Sequence, residues 1–208
     1  GGRGSVAEAG LEGRVDVLVG TLGKALGSYG AYACVSAEIR ELLVNTARPL
    51  IFSTGLPPAS AAAAEAALAV IETQPELVDR LRTNASTLRA ALAANGLEPG
   101  GSGAQIIPVA IGDPDRATAA CARALQGGVY AQAIRPPTVP EGTSRLRLTV
   151  MATHTEDELR RAARVIADAV DAVSANGEWS IDLPDPAPGA LQVIRRPERI
   201  GAGVKPGA

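Results

Sequence analysis

The stretch Asp16–Ser36, DVLVGTLGKALGSYGAYACVS, holds Lys24, one of only two lysines in 208 residues. Lys205 is the other, and every remaining basic residue is an arginine. A chain that writes arginine for surface charge has placed a lysine between two glycines, directly after an apolar run. Arginine keeps its proton at physiological pH and cannot act as a nucleophile. Lysine can, once its surroundings favour the neutral amine. A lysine in a Gly-rich loop at a strand end suits Schiff-base formation with an aldehyde such as pyridoxal phosphate (PLP). It equally suits an exposed loop lysine with no special contact, because G-K-x-x-G is a weak motif.

Around that loop the pattern alternates between α and β. VDVLVG (15–20) and YACVS (32–36) are short apolar runs expected to form buried strands. AEIRELLVNTA (37–47) has helical spacing at Ile39, Leu42 and Leu43. RPLIFSTGLPPAS (48–60) reads as irregular. Pro57 and Pro58 open the Ala-rich helix that follows to residue 73, since a first-turn proline loses no hydrogen bond. Beyond Pro75 the texture changes. Residues 75–96 put Leu77, Leu81, Leu88 and Leu92 on one stripe and stop at Asn-Gly. AQIIPVAIG (104–112) reads as a strand whose Pro108 demands an edge or a bulge. A helix over 114–128, strands over 129–134 and 145–150, and a helix over 153–177 complete the pattern. In the last helix Thr155 and Glu158 have capping-box spacing, and Leu159, Ile166, Val170 and Val173 form the apolar stripe.

This divides the chain into residues 1–73, part of a large domain, residues 74–176, a small α/β domain, and residues 177–208, a Pro/Gly-rich tail expected to lack order. Two strands cannot make an independent sheet, so the first part is expected to need strands from elsewhere.

Composition narrows the function classes. The chain is 46% hydrophobic but only 2% aromatic, and its formal net charge is −2. There is no basic patch for nucleic acid. No segment is apolar enough for a membrane span or a signal peptide. Cys34 and Cys121 have no metal-ligand spacing, so free thiols in a reducing cytoplasm are expected, with no metal site.

A second candidate cluster lies in AIRPPTVPEGTSRLRLTVMATHT, residues 133–155. In RLRLTV, Leu146, Leu148 and Val150 share one face, while Arg145, Arg147 and Thr149 share the other. An arginine on that face, beside a proline-stiffened loop bearing Arg135 and Thr138, can clamp a carboxylate with two hydrogen bonds. The same alternation also suits a solvated polar face on a half-buried sheet.

VGTLGKALGSYGA, ARPLIFSTGLPPA and IRPPTVPEGTSRLRLTVMATHT, in this order, resemble the α-oxoamine synthases, fold-type I PLP enzymes that join an amino acid to an acyl thioester. The resemblance covers roughly residues 1–173. It implies an aspartate aminotransferase-like α/β fold, PLP as cofactor and a homodimer with shared active sites. By position it implies that Lys24 carries PLP, that Thr21 bonds the phosphate, and that Ser53 and Thr54 reach the phosphate of the partner's site. It further implies that Thr138 contacts substrate in the proline loop and that Arg147 binds the amino-acid carboxylate, with Arg135 a further substrate contact. His154, the only histidine, falls in a helix-entry motif and is expected to be structural. The IRPPTVP loop resembles the branch of the family that condenses L-alanine with pimeloyl-CoA or a pimeloyl-carrier protein in biotin biosynthesis. Glycine C-acetyltransferase is the alternative within the family, and a non-catalytic fragment is the alternative outside it. The resemblance also implies an upstream aspartate, a ring-stacking histidine and a phosphate-side glycine turn. None lies in these residues, so the chain is expected to be the C-terminal part of an enzyme and inactive alone.

Overall fold

The computed structural model describes residues 2–100 and 103–174. The elements in chain order are α1 (Ser5–Glu8), β1 (Val17–Thr21), β2 (Ala31–Val35), α2 (Ala37–Thr46), α3 (Arg48–Ile51) and α4 (Pro58–Thr73). They continue with α5 (Glu76–Ala94), β3 (Ile106–Gly112), α6 (Pro114–Gln126), β4 (Gln132–Ile134), β5 (Ser144–Thr149) and α7 (Glu156–Ser174). The tail from residue 177 and the expected end of the last helix lie outside the described residues.

β1 and β2 form an antiparallel hairpin, with Val17 opposite Val35 and Thr21 opposite Ala31. Gly20 faces Tyr32 across the hairpin. A Cβ on Gly20 would stand 2.3 Å from the tyrosine ring, so the ring lies on bare backbone that only glycine leaves open. The expectation that these strands are buried is not met. Val17, Leu18, Val19 and Tyr32 are all exposed, because the described chain lays no further layer over this two-stranded sheet. Among described residues before Pro75, only Leu22 and Ala64 are buried.

α2 starts where Ser36 accepts a hydrogen bond from Ile39 N at 3.3 Å. The region read as irregular contains the four-residue helix α3, set by Pro49 in its first turn. One turn is too short to show periodicity in sequence. α4 opens with Pro58 in its first turn, as expected.

After Pro75 a core closes. β3, β5 and β4 pair antiparallel in that order, so Pro108 does sit on an edge strand, and the register shifts between Ala110 and Gly112. Leu146, Leu148 and Val150 are buried, as the alternation requires, and join Ile107 and Val109 beneath α5, α6 and α7. α7 contributes Leu159, Ile166, Val170 and Val173 to that core. Its capping box forms: Thr155 N donates to Glu158 Oε2 at 2.8 Å, and Glu158 N donates to Thr155 Oγ1 at 3.3 Å. Hydrogen bonds from the Thr155 backbone and then its hydroxyl hold the Glu158 carboxyl below its ordinary value.

β4 is shorter than the expected 129–134. Val129 N is engaged by Ala124 O at 2.8 Å and Gly128 N by Leu125 O at 2.9 Å, a Schellman closure that keeps the chain on α6. α5 ends in the same way. Leu97 N reaches Leu92 O and Gly96 N reaches Ala93 O, both at 3.1 Å, with Gly96 at φ 80°. A Cβ on Gly96 would meet nothing within 4 Å, so its substitution tests backbone strain alone. Gly96→Ala is expected to lower stability by about 1 kcal/mol in urea unfolding, with no change in the slope of the transition.

Candidate active site

Lys24 lies in the connection between β1 and β2, and four backbone and side-chain contacts shape that turn. Leu22 N donates to Gly30 O and Ser28 N donates to Leu22 O, each at 2.9 Å. Gly27 N closes onto Lys24 O at 2.9 Å. The Ser28 hydroxyl donates to Ser60 O in the first turn of α4 at 2.6 Å. Leu22, 7% exposed, is the turn's apolar anchor. Lys24 itself is exposed, and none of the ion pairs among the described residues includes it. The amine is therefore sterically open on a turn held at both ends.

Thr21 is the last residue of β1. Its Oγ1 accepts from Gly23 N at 3.2 Å. A hydroxyl that accepts from its own turn keeps its proton free to donate outward. An amine and a hydroxyl donor thus stand three residues apart at the end of a strand. This donor set fits a group carrying both an aldehyde and a phosphate.

Ser53 and Thr54 follow α3 and are exposed. The Ser53 hydroxyl donates to Leu50 O at 3.0 Å. Beside it the Arg48 guanidinium lies 5.5 Å from the centre of the Phe52 ring, and that ring is 77% exposed. This segment passes the hairpin turn through Leu56. A Cβ on Gly30 would come within 2.8 Å of Leu56 Cδ1.

The remaining candidates lie on or beside the uncovered face of the three-stranded sheet. Arg147 stands between Pro108 and Gln132 and is exposed. Arg145, on the same face, donates from Nε to Thr143 O at 2.9 Å, which turns it toward the strand's start. Arg135 and Thr138 are exposed in the proline loop, where Thr138 N donates to Arg135 O at 3.0 Å. His154 uses its ring internally: Nδ1 accepts from Met151 N at 3.2 Å. Among the described residues, no hydrogen bond or ion pair joins the Lys24 turn to the Arg147 face.

Two hollows flank these groups. One of ≈ 550 Å³ lies on the open sheet face beside Arg145, Thr143 and Pro108. Another of ≈ 790 Å³ lies where Ala25, Ile71, Val78, Arg82 and Gln105 meet. Neither Lys24 nor Arg147 lines either one. Two residues that pure sequence reading passes over organise this region. Ser28 ties the lysine turn to α4, and Asn84 ties α5 to the loop after β5. Both links span more than thirty residues of chain, and neither residue type announces such a partner.

Residues 1–166 match the family described as aminotransferase class I and II. The chain is 48% identical over 168 residues to the 8-amino-7-oxononanoate synthase of Geobacter metallireducens, covering 80% of this chain and 43% of that protein. Among solved structures it resembles the serine palmitoyltransferase of S. paucimobilis with bound PLP and myriocin. There the TM-score is 0.77 at 31% identity, over 83% of this chain and 44% of the other. It also resembles the 8-amino-7-oxononanoate synthase of Francisella tularensis, with a TM-score of 0.66 at 26% identity over 76% of this chain and 46% of the other. The chain thus spans less than half the length of these relatives. No helix among the described residues is long and apolar enough to cross a membrane. The architecture is that of fold-type I PLP-dependent enzymes, and the chain belongs to the aminotransferase class I and II family.

Proposed function

We propose that the intact protein condenses L-alanine with a pimeloyl thioester, carried on coenzyme A or on a carrier protein, to give 8-amino-7-oxononanoate, CO₂ and the free thiol in biotin biosynthesis. Several relatives of that name are 45–49% identical to this chain, and this identity supports the reading. The observation that carries it is the open Lys24 amine beside a free Thr21 hydroxyl donor on one fixed turn. PLP, when bound, supplies an aldehyde for a primary amine and a ring that draws electron density from the amino acid's α-carbon.

The chain's own residues then have separable tasks. Lys24 Nζ would hold the cofactor covalently and would be free again with substrate in place. Once free, the same nitrogen takes the α-proton and later returns a proton to that carbon. The Thr21 hydroxyl donates to a phosphate oxygen. Arg147 offers two parallel N–H donors to the alanine carboxylate until that group leaves as CO₂. Arg135 and Thr138 line the approach from the proline loop. Residues 1–73 then belong to the cofactor-binding domain and residues 74–176 to the smaller C-terminal domain. Ser53 and Thr54, exposed beside Phe52, serve the partner's phosphate in a homodimer. The free thiols of Cys34 and Cys121 suit the reducing cytoplasm.

A second reading has its own support. The serine palmitoyltransferase structures align with a TM-score of up to 0.78, higher than the Francisella synthase, which favours a different amino acid and acyl donor. The assay that separates them offers the intact, PLP-loaded protein alanine with pimeloyl-CoA, glycine with acetyl-CoA, and serine with palmitoyl-CoA. Thiol release with the first pair at least about tenfold above the others is expected. Preference for either other pair would reassign the substrate while leaving Lys24 in its role.

A further inference from the structure

We propose that Asn84 is a positioning residue for Arg147, acting through the loop that ends β5. The inference rests on the reading above, in which Arg147 holds the amino-acid carboxylate.

Asn84 lies on the packed face of α5, 8% exposed, next to Ala85 and four residues before Leu88, both buried. A primary amide in such a face is costly unless its hydrogens are used. Both are used on one short connection. Nδ2 donates to Met151 O at 3.0 Å and to His154 O at 2.8 Å. That connection also closes on itself, with Met151 N donating to His154 Nδ1 at 3.2 Å and His154 N to Met151 O at 3.3 Å. Immediately before it, Val150 N is held by Gln105 O at 3.1 Å. The exit of β5 is therefore fixed from Gln105, the residue before β3, on one side and from α5 on the other. Arg147 lies three residues upstream of Val150, on β5 itself.

α5 is also the arm that reaches back toward the lysine. Only Gln74 and Pro75 separate it from α4, whose Ser60 carbonyl accepts the Ser28 hydroxyl of the Lys24 turn. The α4–α5 pair thus carries one tie to the lysine turn and one to the arginine strand, and Asn84 supplies the second. An apolar residue at position 84 could fill the space but would remove both side-chain bonds that tie this loop to α5.

The test uses the intact, PLP-loaded protein. Alanine is titrated against the cofactor spectrum for the wild type, Asn84→Ala, Arg147→Ala and the double variant, with the KM for the acyl donor measured alongside. Displacements of about an ångström at a binding group are felt strongly. Asn84→Ala is expected to weaken alanine binding about three- to tenfold, leave the acyl-donor KM unchanged, and add nothing in the Arg147→Ala background. Wild-type alanine affinity in a folded Asn84→Ala protein, or the same penalty with Arg147 already removed, overturns the proposal. If Asn84→Ala fails to fold, Asn84→Ser, whose single hydroxyl can serve at most one of the two carbonyls, takes its place, and the same two outcomes decide. If Arg147→Ala binds alanine normally, the assignment of Arg147 falls and this inference falls with it. Weakened binding in Arg147→Ala but not in Asn84→Ala removes this inference alone.

Discussion

Lys24→Ala in the intact protein is expected to abolish measurable condensation. Loss of proton transfer by a positioned base accounts for roughly 10²–10⁴-fold by itself. The covalent hold on the cofactor disappears as well. Lys24→Arg is expected to do no better, because a guanidinium keeps its proton and cannot add to an aldehyde. The fold should survive both changes. The lysine side chain is exposed, the turn is held by Leu22, Gly27 and Ser28 through main-chain bonds, and Thr21 keeps its bond from Gly23. An unchanged thermal midpoint with lost turnover is the expected pair of results. A Lys24→Ala protein with a tenth or more of wild-type activity contradicts the assignment.

Arg147→Ala is expected to weaken alanine binding by roughly 10- to 150-fold, the equivalent of about 1.5–3 kcal/mol for a charge-assisted pair. Arg147→Lys should recover part of this, since one ammonium cannot reproduce the two-pronged geometry. Leu146 and Leu148 point into the core from the opposite face, so stability should change little. Arg145 is already tied through its Nε to Thr143 O. Normal alanine affinity in a folded, PLP-loaded Arg147→Ala protein would move the role to Arg135, the other exposed arginine near that loop.

How much of this could be read from the chain differs by element. β5 was legible because strict alternation put Leu146, Leu148 and Val150 on one side, and the core took that side. α7 was legible because Thr155 and Glu158 stand at cap spacing before an apolar stripe. Local chemistry determines such features, so local sequence carries them. β4 was overdrawn because a composition suited to a strand also follows Gly127 and Gly128, and backbone closure of α6 claims Val129 first. The apolar runs of β1 and β2 were placed correctly and buried wrongly. Burial depends on what packs over a strand, and its own residues do not state that. In the candidate site, Lys24 stood out by composition alone. The links that hold it did not. Ser28 finds Ser60 and Asn84 finds Met151 and His154 only after the chain has folded back over tens of residues.

On the proposed reading, this family member works through a cofactor carried on Lys24. Borohydride reduction of the intact, PLP-loaded protein, followed by proteolysis and peptide mapping, tests it most directly. A single pyridoxyl label is expected on the peptide containing TLGKALG, at Lys24. A label on Lys205 or any lysine outside this turn, or no label in a protein that turns over, would contradict it.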